Sequence, residues 1–185
     1  AALYHDVEDT FSVERIKQIS EAKGLDPKEA LNNIIVAKCY NTDHQVFIMN
    51  TSEKIIRKHN VRLIIVDGVM SHLRSEYVGR EVLAERQQQL NKYLRKLRNL
   101  ARAHKAVAFV TNQVVTNPQA TYFGPDKTAI GGNIMAHNVV TRLWITRPSD
   151  MKTKRIIKLY KSPKLPSGQV VIKITEHGIE DVEDD

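Results

Sequence analysis

Apolar residues along this chain fall into two kinds of run. Ile34-Ile35-Val36-Ala37, Leu63-Ile64-Ile65-Val66 and Ala106-Val107-Ala108-Phe109-Val110 are short blocks without alternation. The Leu63 block reads as a strand buried on both faces, as in a parallel sheet, the Ala106 block as a further buried strand and the Ile34 block as another strand. Leu3-Tyr4-His5-Asp6 reads as the end of a further strand, so the chain is expected to open inside the fold. Between the blocks, apolar positions recur at helical spacing. Val13, Ile16 and Ile19 mark a helix that Ser12 caps, running to about residue 22, and Gly24 ends it. Asp26-Pro27 starts a second, short helix. Thr42 is expected to cap a helix over Val46, Ile48, Met49, Ile55 and Ile56 that ends near His59-Asn60. Leu83, Leu90, Tyr93 or Leu94, Leu97 and Leu100 form the buried stripe of the longest helix, roughly residues 82 to 104. This alternation predicts an α/β fold, a mostly parallel sheet with right-handed crossovers flanked by helices.

The pattern changes after residue 113. Residues 114 to 129 read as a long loop containing Tyr122-Phe123, and loops of that length are usually functional or disordered. Ile130-Gly131-Gly132 leads into a short helix to about residue 138. Residues 140 to 146, 155 to 160 and 169 to 175, separated by turn signals, predict antiparallel strands at the C-terminal edge of the sheet. Residues 176 to 185 read as an acidic, solvated tail. The whole is expected to be one domain.

The fold gives Asp67 a particular place. Ligands of open parallel sheets bind at the carboxyl ends of the strands. An acid there is placed to hold magnesium, directly or through water, although an Asp also starts turns. A polar, basic loop, residues 71 to 80, follows with Arg74 and Arg80. The polar side of the longest helix carries Arg86, Lys92, Arg95, Lys96, Arg98 and Arg102. Such a face is more commonly solvated than in contact with nucleic acid.

Composition narrows the partners. The 185 residues are 42% hydrophobic and 26% charged, ordinary for a globular domain, but the net charge is +7. An excess of that sign points to an anionic partner, nucleic acid ahead of an acidic membrane. No apolar run approaches the roughly 18 to 20 residues of a membrane span, and the first residues do not read as a signal peptide. The single cysteine, Cys39, excludes an internal disulfide and suits a reducing compartment, cytoplasmic or nuclear.

Several motifs, taken in order, resemble the ATPase core of the RadA/Rad51/Dmc1 strand-exchange recombinases, within the RecA-like fold family. They are Asp6-Val7-Glu8-Asp9-Thr10-Phe11 followed by Glu14-Arg15-Ile16, and Asn41-Thr42-Asp43-His44-Gln45. Arg74-Ser75-Glu76-Tyr77, Gly79-Arg80 and Ala84-Glu85-Arg86-Gln87-Gln88 follow. Thr111-Asn112-Gln113-Val114 and Ile130-Gly131-Gly132-Asn133 with Ala136-His137 complete the set. The resemblance covers nearly the whole chain.

It implies roles residue by residue. Glu8 matches the glutamate that activates the attacking water, and Gln113 the glutamine that senses the terminal phosphate of ATP. Asp67 matches the acid that helps hold magnesium, and Asp126 lies where the neighbour's nucleotide is contacted. Phosphoryl transfer needs such charge neutralisation and an oriented water. Arg74 and Arg80 match the first DNA loop. Residues 114 to 129 match the second, with Tyr122 and Phe123 available for base stacking and Gly131 and Gly132 at its exit. Leu3, Ile35, Ala37, Ile48, Ser52 and Ile55 match a pocket for Phe-x-x-Ala segments of a neighbouring subunit or a mediator; ordinary core packing explains them equally well. The implied partners are single- and double-stranded DNA and copies of the chain in filaments or rings.

Departures accompany the match. No glycine-rich phosphate loop ending in Gly-Lys-Ser/Thr occurs in the 185 residues. The family places it ahead of Leu3, so the core is expected to be truncated on that side. Val7 stands for a threonine, Asp9 for a glycine, Ser12 for a basic residue and Gly68 for the serine after the magnesium acid. Asn117 replaces a loop arginine, Pro125-Asp126 inverts Asp-Pro, and Lys161 replaces an acid. Two classes of function follow: part of an ATP-dependent recombinase acting in DNA repair, or a non-catalytic module that binds DNA or recombinase subunits. The chain alone is expected not to hydrolyse ATP appreciably.

Overall fold

The computed structural model describes residues 1–116, 127–148 and 153–182. Its elements are β1 (Ala2–Asp6), α1 (Val13–Ala22), α2 (Pro27–Asn32), β2 (Ile34–Lys38), α3 (Thr42–His59), β3 (Leu63–Asp67), α4 (Ser71–Glu76) and α5 (Leu83–Ala103). They continue with β4 (Val107–Val110), β5 (Val114–Thr116), β6 (Lys127–Ala129), α6 (Gly132–Asn138), β7 (Arg142–Thr146), β8 (Lys154–Lys161), β9 (Gln169–Thr175) and β10 (Gly178–Asp181). They fall into two compact units, residues 1–11 with 33–138, and residues 12–32 with 139–185.

The first unit is built on a parallel sheet of order β2-β1-β3-β4. Leu3, Ile64 and Val66 on one face are 0% exposed, whereas Tyr4, Leu63 and Ile65 between them and all of residues 34–37 in β2 are half-buried. Coverage is therefore complete on one face only and not on both as expected. Helix α3 packs on β1 and α5, and α5 also packs on β4. The α5 stripe read from the sequence is buried from Leu90 onward, with Leu90, Tyr93, Leu94, Leu97 and Leu100 inside, whereas Leu83 at the helix start is 38% exposed. The register sets Asp6 of β1 directly beside Asp67 of β3. Two acids thus end neighbouring strands at the carboxyl edge.

Four local expectations change. Residues 114–116 and 127–129, read as parts of a long loop, pair as antiparallel strands β5 and β6. The cap of α3 is Asn41, whose Oδ1 accepts from the His44 N–H at 2.7 Å; Thr42 is buried and donates its own N–H to Glu76. The segment after Asp67 is not wholly loop. Ser71–Glu76 is helix α4, anchored by buried Leu73 and free of Gly or Pro. Strand β4 lies at the end of the sheet order, with Val107 64% and Phe109 50% exposed rather than buried. An apolar run does not by itself distinguish a central strand from an edge strand.

In the second unit the antiparallel strands form a sheet of their own, order β10-β9-β8-β7. Residues 178 to 181, expected in an acidic tail, are strand β10 paired with β9. The Thr175–Gly178 turn permits this hairpin, with Gly178 at φ +106°, a conformation that favours glycine. The Arg15 guanidinium of α1 donates to the carbonyls of Thr175 and Glu176 at that turn.

Candidate functional site at the carboxyl edge of the parallel sheet

The edge is assembled from three segments: residues 6–11 after β1, residues 67–71 after β3, and residues 111–113 after β4. Asp6 accepts from the backbone N–H groups of Thr10 and Phe11 at 3.0 and 3.3 Å, which folds the segment carrying Glu8 back onto the strand. Asp67 binds the other two. Its Oδ1 accepts from the Thr111 hydroxyl and its Oδ2 from the Tyr4 hydroxyl, each at 2.5 Å, with the Thr10 hydroxyl at 3.5 Å. Burial, then the hydrogen bond to Asp67 and that carboxylate's charge, push the Tyr4 phenol well above its ordinary pKa. Tyr4 therefore remains a donor to Asp67.

Glu8 sits at the mouth of this arrangement. Its Oε1 accepts from the Ser71 hydroxyl at 2.5 Å and from the Gln113 amide at 2.9 Å. Val7, Glu8, Ser71, Arg74, Ser75 and Gln113 line an open cleft of about 460 Å³. Gly68 makes the approach possible: a Cβ there would lie 2.7 Å from Glu8 Oε1 and 3.1 Å from Ser71 Oγ. The structure thus brings Glu8, Gln113 and Arg74 to one cleft, with Asp67 on the strand behind it. Ser71 was not singled out in the sequence. Its only signal there is a hydroxyl four positions past Asp67, at a helix start.

Other expected residues are placed as follows. Arg80 is exposed in the turn before α5. Gly131, at φ +87°, has no room for a side chain, since a Cβ would meet Met135 Cγ at 2.7 Å and Leu90 Cδ2 at 3.1 Å. Gly132, at φ +49°, opens α6 with free space around it. Leu3 and Ser52 are 0% exposed, whereas Ile35, Ala37, Ile48 and Ile55 are half-buried and offer surface. Tyr122, Phe123 and Asp126 lie outside the described residues.

The fit of magnesium and ATP is decided by these donors. Each carboxylate at the edge already accepts hydrogen bonds from protein hydroxyl, amide or backbone groups. No group of three His, Cys, Asp or Glu able to hold a metal occurs among the described residues. A cation as reluctant to shed water as magnesium relies on one or two free carboxylates together with phosphates. Among the described residues, these carboxylates by themselves do not fit that site.

A parallel sheet flanked by helices, with paired acids at its carboxyl edge and a separate antiparallel set, defines a RecA-like α/β core. The chain matches the family model for Rad51 over residues 1–182 and belongs to the Rad51 family. It is thereby a member of a recombination and DNA repair family, and its fold is the one the motifs implied. No helix among the described residues is long and apolar enough to cross a membrane.

Proposed function

We propose that this chain is the DNA-facing part of a recombinase that, with its phosphate loop, forms ATP-bound filaments or rings on DNA and promotes homologous pairing and strand exchange. The observation that carries the reading is the position of Arg74 on α4 at the cleft that holds Glu8 and Gln113. Exposed Arg80 follows a few residues later, and neither guanidinium is in an ion pair among the described residues. Guanidiniums so placed meet phosphates without reading bases, as exchange between arbitrary sequences requires. Glu8 in this reading orients the attacking water and Gln113 links the cleft to the second DNA loop, of which Gly131 and Gly132 form the exit. Neighbouring subunits or mediators present a Phe-x-x-Ala segment to the surface of Ile35, Ala37, Ile48 and Ile55. The protein works in the cytoplasm of an archaeon or the nucleus of a eukaryote.

The test is binding of a 30-nucleotide single strand, followed by anisotropy across a salt series. Affinity is expected to fall steeply with salt and to drop several-fold in Arg80→Ala; binding that ignores salt, or no binding at low salt, sinks the DNA role.

One observation favours a second reading, a DNA- or recombinase-binding module without catalysis. Glu8 and Asp67 accept from protein donors, as described above. A magnesium-dependent ATPase activity of this polypeptide, stimulated by single-stranded DNA and abolished by Glu8→Gln, would overturn it.

A further inference from the structure

The outer face of α3 carries two kinds of side chain in succession. Tyr40, His44 and Phe47 stack at its start. The Tyr40 and His44 rings are 5.2 Å apart and 9° from parallel, and His44 and Phe47 are 6.3 Å apart at 27°. Tyr40 is 74% and Phe47 60% exposed, so burial does not hold the stack. Hydrogen bonds at the helix start do: Asn41 Oδ1 accepts from the His44 N–H, and the Tyr40 N–H donates to His44 Nδ1 at 3.4 Å.

Steps of three and four residues keep one helix face in line. From His44 and Phe47 they run through Thr51 to Lys54 and Lys58, about 21 Å at 1.5 Å per residue. The Lys96 ammonium of α5 donates to Asn50 and adds a third cation alongside. Lys54, Lys58 and Lys96 are in no ion pair among the described residues, and Glu53 is turned to His104 at 3.5 Å. No acidic residue stands between Glu85 and Asp126 to neutralise α5.

Stacked rings leading onto a row of ammonium groups match an unpaired nucleic-acid strand, which offers bare base faces and a phosphate every few ångströms. A duplex hides its base faces in its own stack, and an acidic peptide would leave the rings without a partner. We infer that the outer face of α3 is a single-stranded nucleic-acid contact, separate from the Arg74–Arg80 segment. Bases stack on the Tyr40–His44–Phe47 ladder, and phosphates meet Lys54, Lys58 and Lys96.

The experiment compares a 12-nucleotide oligothymidylate, an abasic strand of equal length and a 12-base-pair duplex, each titrated with the full 185-residue chain. Tyr40→Ala/Phe47→Ala is expected to weaken oligothymidylate about tenfold or more. It leaves the abasic strand, the duplex and the salt slope unchanged. Lys54→Gln/Lys58→Gln is expected to reduce the log–log salt slope on single strands by about 1.4, near 0.7 per lost phosphate contact. Arg74→Ala/Arg80→Ala, run in parallel, weakens both single strands but keeps the dependence on the rings, so failure of either DNA contact is seen separately. Unchanged oligothymidylate binding by the ring variant, or equal loss on the abasic strand, overturns the assignment. If the ring variant melts lower than the parent, the exchange Tyr40→Phe/Phe47→Tyr must restore binding, and its failure to do so overturns the assignment as well.

Discussion

The acids at the carboxyl edge of the parallel sheet and the two arginines that follow Asp67 in the chain have opposite surroundings. Asp6, Glu8 and Asp67 each accept two or more hydrogen bonds from the protein. Arg74 and Arg80, which follow Asp67 in the chain, meet no carboxylate among the described residues. The acids tie residues 6–11, 67–71 and 111–113 into one edge. Matching a family's motif therefore does not give two charges the same job. At this edge the negative charges hold structure, whereas the two guanidiniums have no carboxylate partner among the described residues.

The strongest challenge to that contrast is acid. His5 lies beneath the edge, 0% exposed, with Nδ1 3.4 Å from the Tyr93 hydroxyl and Nε2 3.3 Å from the Ser52 hydroxyl. Burial lowers its pKa from 6.5 to about 4. A depressed folded-state value means the unfolded chain takes up this proton first. The stabilisation is complete above about pH 6.5 and lost as pH falls toward 4, about 3 kcal/mol in all. Urea unfolding at pH 7, 5.5 and 4.5 is expected to show the loss in the parent. His5→Met should flatten that part of the curve. Equal pH dependence in both proteins would remove His5 as the cause.

A smaller effect separates the two kinds of charge directly. Asp67→Ala leaves the Tyr4 and Thr111 hydroxyls without their acceptor, and about 1–3 kcal/mol of stability is expected to go. Arg80→Ala touches no internal partner and is expected to stay within about 0.5 kcal/mol of the parent while DNA affinity falls. Denaturant midpoints for both variants, read beside the anisotropy titration, decide the matter. The reverse pattern, a stable Asp67→Ala and an unfolded Arg80→Ala, would abolish the contrast.

The periodic elements were legible because burial writes itself into spacing. The apolar block of β3 and the α5 stripe from Leu90 onward needed no tertiary information, and ordered motifs carried the family. Context decided the remainder. The cap of α3 is Asn41 rather than Thr42 because Asn41 keeps extended backbone geometry, while Thr42 is already the first helical residue. Helix α4 depends on Leu73 finding the core, and the exposure of Phe109 depends on sheet order. The contact between Tyr4 and Asp67 joins residues 63 positions apart. Nothing in the spacing of either residue announces it. The second-loop residues Tyr122, Phe123 and Asp126 remain sequence expectations, outside the described residues.

The finest test concerns Gly68, where the resemblance implies a serine. Its missing side chain lets the Glu8 carboxylate approach Ser71, since a Cβ at 68 would sit 2.7 Å from Glu8 Oε1. That oxygen ends a flexible side chain, so Gly68→Ser is expected to turn Glu8 away and leave the strand in place. In the parent, Ser71→Ala removes a part-buried hydrogen bond and is expected to cost about 1 kcal/mol. In the Gly68→Ser background the bond is already gone, and the same change is expected to cost close to nothing. A double-mutant cycle over these four proteins isolates the coupling. Additive costs would mean that Ser71 and Glu8 do not depend on the glycine. A coupling near the full 1 kcal/mol would mean that Gly68 fixes Glu8 as part of the edge.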